Sequence, residues 1–438
     1  MRKGDMGRRM RILKQGIKYI LVFLAVTALL TGLLVSVAMI PRSAIKKNTE
    51  ESARLLCEKE GFPVLIKGVE GSRIDRYADA ILLGIAYQYD SEHPVSSVMW
   101  SSYYYDMNQN ANENLLEAVE EDLEANQQYL RYWHGSISII RPLLTILNLK
   151  QIYICNGILL IVLTGILLVL LLKNRAFVPA VGIVVGMILT SAWFVPFSLE
   201  YTWTYLLMLL FSIIGVLLAF RRKYAGMGIF FLVTGMVTNY MDFLTTETLT
   251  LTVPLLLILW ISYCQEKTFS HPLKTVGKAL CSWGAGYAGM WCMKWILASF
   301  FLSENAFSYV SEHVGERMGG ISEVGFFTYF FGGIGRNLRC LFPWEYGVAG
   351  VLVGVVLVVF VLYVGYVYHC GKIDKKTVLI YVTVGVLPYI WYIVLNNHSY
   401  LHFFFTFRAQ FATILALVLI LERLTEGRWP GRGRKGRT

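Results

Sequence analysis

Long apolar runs recur along this chain, and they constrain its fold more than any other feature. A helix needs about 20 mostly apolar residues to cross the hydrocarbon core of a bilayer. Such runs lie at about 19–40, 152–172, 177–197, 204–220, 224–241, 249–263, 279–301, 347–369, 377–396 and 407–421. The pattern predicts an all-α integral membrane protein of about ten transmembrane helices, organised as a single polytopic domain over residues 1–438.

The basic residues are concentrated in short segments between the apolar runs. The chain has 40 Lys and Arg against 29 Asp and Glu, a formal net charge of +11. Basic clusters beside spans mark the cytoplasmic side of a membrane, whereas a nucleic-acid surface needs a continuous basic face. The clusters therefore predict a multi-pass protein of the cell membrane with both termini in the cytoplasm, and they argue against a nucleic-acid partner.

The segment 41–150 is the longest polar stretch, and the charge pattern places it outside the cell as a large helical loop between the first and second spans. Helical periodicity predicts one amphipathic helix at Ser43–Glu60 and another at Asn112–Trp133. Aromatic residues at the end of the second helix favour the membrane interface, so we expect this helix to lie on the outer membrane surface. The scattered cysteines predict mainly unpaired thiols, with a disulfide between Cys57 and Cys340 as the alternative.

Two carboxylates lie four residues apart in the loop, directly before an apolar stretch. Asp75 and Asp79 would share one face of a helix. Such a pair can bind a divalent cation or supply a general base. The alternative is a solvated helix in which Asp75 pairs with a neighbouring arginine.

A second polar group interrupts the apolar sequence between two predicted spans, over Thr238–Thr248. It contains Asp242, Glu247 and several hydroxyls. A re-entrant turn that lines a cavity would satisfy the backbone of such a segment. The alternative is an ordinary polar hairpin, but ionisable groups at membrane depth are costly and usually functional.

A third group lies near the outer end of the last predicted span. His398 and His402 are one helical turn apart, and Arg408 follows. A histidine pair at this spacing can bind metal, although the HExxH motif is absent. Arginine suits phosphate because its planar guanidinium makes bidentate contacts. Interfacial histidines with a snorkelling arginine are the alternative.

Further candidates lie just before the second span and within the loop. His134 and Arg141 are ionisable groups beside the apolar run that begins near residue 152. The three consecutive tyrosines at 103–105 can stack on sugar rings, although exposed tyrosines are also common at membrane interfaces.

The organisation resembles the GT-C-like membrane glycosyltransferases, which have a first span, a large outer loop with acids and surface-lying helices, and then many spans joined by short links. The segments 77–83, 242–246 and 397–402 are similar to segments of uncharacterised bacterial membrane proteins found with surface-polysaccharide functions. The family's usual acidic pair (Asp-Asp, Asp-Glu or Asp-x-Asp) is absent from the first loop, where Asp75 and Asp79 are spaced differently.

The resemblance implies transfer of a sugar from a polyprenyl-phosphate-linked donor to a glycan or lipid acceptor at the outer membrane face. It implies a carboxylate base, for which Asp79 is the candidate, with Asp242 as a second acid or metal ligand. The candidate substrate-binding residues are Asp75, His134, Arg141, His398, His402 and Arg408. The metal is unknown, and a divalent cation is a candidate cofactor. We expect one outward cavity to be lined by Asp79, Asp242, His402 and Arg408.

Two other functions use similar groups. A transporter or flippase of lipid-linked or anionic cargo would use basic groups and histidines along its pathway, but the sequence has no obvious internal repeat of the kind that transporters often show. A polysaccharide polymerase or ligase would share both the substrates and the location of a glycosyltransferase.

Overall fold

The computed structural model describes residues 3–242, 244–266, 272–309, 326–341 and 374–425, with scattered positions between 352 and 367. Within these ranges the secondary structure is helical, and extended pairing is limited to two isolated bridges, Val64 with Arg73 and Tyr103 with Gln127. The span that the sequence predicts at 347–369 lies outside the described residues apart from those scattered positions.

The first long helix is followed by five helices of the segment 41–150, called the loop here, and then by a series of apolar helices. The order is α1 (Lys3–Ala38), α2 (Arg42–Cys57), α3 (Arg76–Gln88), α4 (Pro94–Trp100), α5 (Ala111–Glu120), α6 (Ile137–Leu144), α7 (Leu149–Lys173), α8 (Phe177–Leu189), α9 (Leu199–Phe220), α10 (Met227–Met241), α11 (Leu249–Glu266) and α12 (Pro272–Leu302). The helices Phe326–Leu341, Lys375–Gly385, Leu387–Val394, Asn396–Leu401, Phe403–Thr406 and Phe411–Leu424 follow.

Five helical segments of the described chain are long and apolar enough to cross a membrane. They are Leu13–Ala38, Leu149–Lys173, Leu199–Phe220, Lys375–Val394 and Phe403–Leu424. Apolar side chains on these segments face outward, and Ile161 and Leu29 are 73% and 69% exposed. Because so much apolar surface is unfavourable in water, a lipid environment explains these faces. Two shorter apolar helices, Phe177–Leu189 and Leu249–Gln265, lie between them.

Several predicted spans differ from the helices in the structure. The run at 177–197 is broken, because α8 ends at Leu189, Ser191 takes a left-handed conformation and a short 3₁₀ helix covers Ala192–Phe197. The helix α10 has 15 residues and is too short for a full span. Ten spans therefore remain a prediction, whereas the all-helical class is confirmed for the described residues.

The predicted helix at Asn112–Trp133 is wrong in its second half. The structure ends α5 at Glu120, and Asp122 then takes a left-handed conformation. The buried face of α5, which includes Leu115 and Val119, packs against α2 and α3 rather than facing lipid. Its apolar periodicity therefore reflects the core of the loop, whereas the first predicted helix agrees with α2.

Buried hydrogen bonds hold the loop together and join it to the apolar helices. The guanidinium of Arg141 donates to the carbonyl oxygens of Ile40, Ala86 and Tyr89. The indole of Trp133 donates to the carbonyl oxygen of Met290 at 2.7 Å, in the middle part of the long helix α12. The hydrogen bonds from Arg141 supply donors to carbonyl groups at or just beyond helix ends.

Helices α10 and α12 approach each other backbone to backbone at two glycines. A Cβ atom on Gly235 would lie 2.1 Å from the carbonyl oxygen of Trp283, and one on Gly286 would lie 2.1 Å from that of Leu232. No side chain fits at these distances, and small residues allow such close approach between membrane helices. The crossing holds the end of α10, from which the turn containing Asp242 begins.

Candidate functional site

A cleft of about 110 Å³ lies where the loop, α9 and the C-terminal helices meet. We call it the carboxyl cleft, because two acidic residues line it together with two histidines. Its lining includes Phe62, Asp75, Tyr77, Tyr129, Tyr132, Glu200, His398, His402 and Phe405. Of the eight residues with predicted site roles, the cleft is lined by Asp75, His398 and His402.

Asp75 is the N-cap residue of α3, and its carboxyl group also lines the carboxyl cleft. The side chain accepts the backbone N–H of Ala78 at 2.7 Å, as N-cap residues do. Burial raises the pKa of Asp75 to about 6, although hydrogen bonds from Ala78 and Glu200 act in the opposite direction. This pKa places the carboxyl group near the range that suits a general base at neutral pH.

Asp79 lies one turn further along α3 and is completely buried. Its carboxyl group accepts the backbone N–H of Leu199 at 2.8 Å and the hydroxyl groups of Tyr153 and Ser198. Burial is the main cause that raises the pKa of Asp79 to about 7, and the hydrogen bond from Tyr153 opposes it. The hydrogen bonds of Asp79 join α3 to α7 and α9. Asp79 does not line the carboxyl cleft, in contrast to the expectation that it lines the cavity.

Glu200 is an acidic residue of the cleft lining that the sequence pattern did not single out. It lies in the first turn of α9, is 8% exposed, and interacts with the carboxyl groups of Asp75, Asp79 and Asp242. Its Oε2 atom has no hydrogen-bond partner in the described part of the chain. In the sequence, Glu200 is an acid between two apolar runs, and the same pattern marks Asp242 as a candidate site residue.

The turn that follows α10 is buried inside the protein. Asp242 accepts the N–H groups of Leu244 and Thr245 and the hydroxyl of Thr245, the last at 2.7 Å. Glu247 is completely buried, and the carboxyl group of Asp242 is its nearest acidic neighbour. This arrangement excludes the exposed polar hairpin. Asp242 does not line the carboxyl cleft, but the turn reaches it through the carbonyl of Leu244, which accepts the Nε2–H of His398 at 2.7 Å.

His398 and His402 line the same cleft as Asp75 and Glu200. Their ring centroids are 4.8 Å apart, and the ring of His402 stacks on Phe405 at 5.3 Å. The described residues contain no group of three or more His, Cys, Asp or Glu side chains that could hold a metal ion.

Arg408 is buried behind the cleft. Its guanidinium donates to the carbonyl oxygens of Gly71 and Phe404, at 2.8 and 3.2 Å, and lies 4.8 Å from the ring of Tyr201. These contacts tie the short helix Glu70–Ser72 in the loop to the last apolar helices. In this arrangement Arg408 supports the walls of the cleft and does not point into it, in contrast to the expected phosphate contact.

His134 and Arg141 also lie outside the cleft lining. His134 is buried, and its Nε2 atom lies 3.0 Å from the carbonyl oxygen of Tyr129, a residue of the cleft wall. Burial lowers the pKa of His134 to about 3, so the ring stays neutral at physiological pH. Arg141 donates to three backbone carbonyl groups. Both residues therefore make structural contacts near the cleft rather than lining it.

The comparisons with known proteins give no family to which the chain can be assigned. No family model matches the sequence. No curated protein and no solved structure matches it either.

Proposed function

We propose that the protein transfers a sugar from a polyprenyl-phosphate-linked donor to an acceptor hydroxyl at the outer face of the cell membrane. The observation that carries the proposal is the carboxyl cleft, which Asp75 and Glu200 line together with His398 and His402, beside helices that can cross a membrane. A buried acid pair and a histidine pair are what acid–base chemistry on such a donor requires.

The proposed reaction needs one base and one group that stabilises the leaving phosphate. The Asp75–Glu200 pair takes the proton of the acceptor hydroxyl while its oxygen bonds to the anomeric carbon of the sugar. The bond between that carbon and the phosphate oxygen breaks, and the electrons stay on the phosphate. His402 donates a hydrogen bond to the departing phosphate, while His398, held by the carbonyl of Leu244, packs against the ring of His402. We move the role of base from Asp79 to this pair because Asp79 does not reach the cleft.

An apolar surface next to the cleft supports a lipid-linked donor. The 3₁₀ helix Ala192–Phe197 ends directly before Ser198, which contacts Asp79, and before Glu200 in the cleft. On this helix Trp193 and Phe197 are about half exposed. A polyprenyl chain would cover these apolar rings, while its phosphate reaches the histidines.

The proposed orientation places both termini in the cytoplasm and the cleft outside. It is supported by the basic clusters of the sequence and by the apolar helices. The acceptor is either a glycan or a lipid that carries a free hydroxyl, and a polymerase or ligase would differ only in using a longer acceptor.

The Asp75→Asn variant tests the proposed base. Asparagine caps a helix as well as aspartate does, so α3 should be retained, but an amide cannot take a proton. We expect the purified full-length variant to release polyprenyl phosphate at least about 100-fold more slowly than wild type. The assay uses polyprenyl phosphates that carry hexoses or N-acetylhexosamines, with methyl glycosides as acceptors.

The control for this assay is Glu121→Gln, which changes an exposed acid of the same loop. It should leave turnover unchanged. If Asp75→Asn releases polyprenyl phosphate as fast as this control does, the Asp75–Glu200 pair is not the base.

One observation favours a transporter as the second candidate function. Neither carboxyl oxygen of the buried Glu247 makes a hydrogen bond within the described part of the chain. The carboxyl group of Asp242 is an electrostatic neighbour. Buried acid pairs of this kind carry protons in many transporters. In sealed vesicles, a transporter would move a fluorescent polyprenyl-phosphate sugar across the bilayer without consuming it, whereas a transferase would release polyprenyl phosphate.

A further inference from the structure

A second cleft of about 130 Å³ lies in the outer loop, next to the carboxyl cleft. We call it the tyrosine cleft, because five tyrosines line it: Tyr77, Tyr87, Tyr103, Tyr104 and Tyr105. The remaining lining consists of amide side chains and small or aliphatic residues, and none of the lining side chains carries a formal charge at neutral pH. This composition differs sharply from that of the carboxyl cleft.

The two clefts share a wall. Tyr77 and Ile81, which lie one turn apart on α3, line both of them. In addition, the ring of Tyr103 in the tyrosine cleft contacts the ring of Tyr129 in the carboxyl cleft, with centroids 6.1 Å apart. A molecule seated in the tyrosine cleft therefore lies within reach of the Asp75–Glu200 pair.

Resting on the proposed function, we infer that the tyrosine cleft binds a neutral sugar ring of the glycan acceptor. The apolar C–H faces of a pyranose pack on aromatic rings, and its hydroxyls pair with amides, which both donate and accept hydrogen bonds. The buried Oε1 atom of Gln109 has no hydrogen-bond partner in the described chain, so it can accept a sugar hydroxyl.

The size and exposure of the cleft match a single ring. Its volume is well below the roughly 300–1,000 Å³ of pockets that enclose whole drug-sized ligands. Tyr77 and Tyr105 are each 43% exposed, so the cleft opens to solvent and the rest of a glycan can extend outward. The absence of charged lining groups favours a neutral hexose or N-acetylhexosamine over a uronic acid, a phosphate or a charged peptide.

The experiment measures binding without any donor, on the full-length protein in lipid nanodiscs. Saturation-transfer NMR records contact with methyl glucoside, methyl mannoside, methyl N-acetylglucosaminide and, as the charged comparison, methyl glucuronide. Tyr105→Ala removes an exposed ring of the cleft lining, and Met107→Ala is the matched control, an 81% exposed residue of the same loop outside the cleft.

We expect at least one neutral glycoside to bind wild type and Met107→Ala equally, and Tyr105→Ala to bind it about tenfold more weakly, which corresponds to about 1.4 kcal/mol. The glucuronide should not bind. Equal binding to Tyr105→Ala, or no neutral glycoside bound by wild type, overturns the inference. If glycosides bind in this cleft but no polyprenyl-phosphate sugar is consumed, the transferase proposal fails while the sugar site stands.

Discussion

Asp75 is both the N-cap residue of α3 and a residue of the cleft lining. As an N-cap it accepts the N–H of Ala78, and as a wall of the carboxyl cleft it faces Glu200. The backbone hydrogen bond favours the charged form, while burial favours the neutral one. A carboxyl group under two opposed influences can take up and release a proton near neutral pH.

Asp79 should make the stability of the protein depend on pH. Its pKa is about 7 in the folded protein and 3.8 as the reference value, so the folded state holds the proton more tightly. The tighter proton binding stabilises the folded state fully below pH 3.8, and this stabilisation is lost as pH rises through 7. The free energy of unfolding falls by an amount on the order of 4 kcal/mol over this range. We expect the unfolding temperature of wild type in detergent to fall between pH 5 and 8.

The variant Asp79→Asn should have a shallower fall over this range, because an amide does not titrate. Asp75 contributes part of the slope in the same direction, so a remainder is expected. The exposed Glu60→Gln is the control and should keep the wild-type curve. An Asp79→Asn curve as steep as that of the control would mean that Asp79 is ionised in the folded protein.

The sequence predicts which polar residues are buried better than it predicts what they contact. Polar groups inside apolar sequence identified Asp75, His398 and His402, and all three line the cleft. Arg141 and Arg408 have the same sequence signal, but they donate to backbone carbonyls. A one-dimensional pattern cannot distinguish these uses, because the partners of both arginines are carbonyl groups contributed by distant segments.

At the scale of the helices, the crossing of α10 and α12 depends on the absence of two side chains. The variant Gly286→Ala places a methyl group against the carbonyl oxygen of Leu232, so the helices must separate. Overpacking of this kind costs about 1–3 kcal/mol. We expect a lower unfolding temperature in detergent and weaker docking of the loop, because α12 carries the Met290 carbonyl that binds Trp133.

Gly284, two residues earlier on α12, provides the matched control. A Cβ atom there meets nothing within 4 Å, so Gly284→Ala should be neutral or stabilising by up to about 1 kcal/mol. Equal unfolding temperatures for the two variants would contradict the close crossing.

Hydropathy locates apolar helices but not the places where they break. The run at 177–197 is continuous in hydropathy, yet Ser191 takes a left-handed conformation and the helix stops at Leu189. This break exposes Trp193 and Phe197 beside the cleft. The helical periodicity correctly predicts the apolar face of α5, but this face packs against α2 and α3 rather than against lipid.

At the scale of the whole molecule, the charge pattern predicts a definite topology. Reporter fusions after Lys173, Arg222, Lys274 and Lys375 should give a cytoplasmic signal, because clustered Lys and Arg stay on that side. A fusion at Asn108 in the outer loop should give an external signal. A cytoplasmic signal at Asn108 would place both clefts on the wrong side of the membrane for an outer-face transferase.

The carboxyl cleft also has a consequence for the order of events during synthesis. Its walls come from the loop, from α9 and from the C-terminal helices, and the contact between Gly71 and Arg408 joins residues 337 positions apart. At an elongation rate of about 5–20 residues per second, the loop waits roughly 17–70 seconds for this partner. Throughout that interval the carboxyl cleft lacks His398 and His402, so under the proposed function a nascent chain cannot act on lipid-linked sugars before its last apolar helices are inserted.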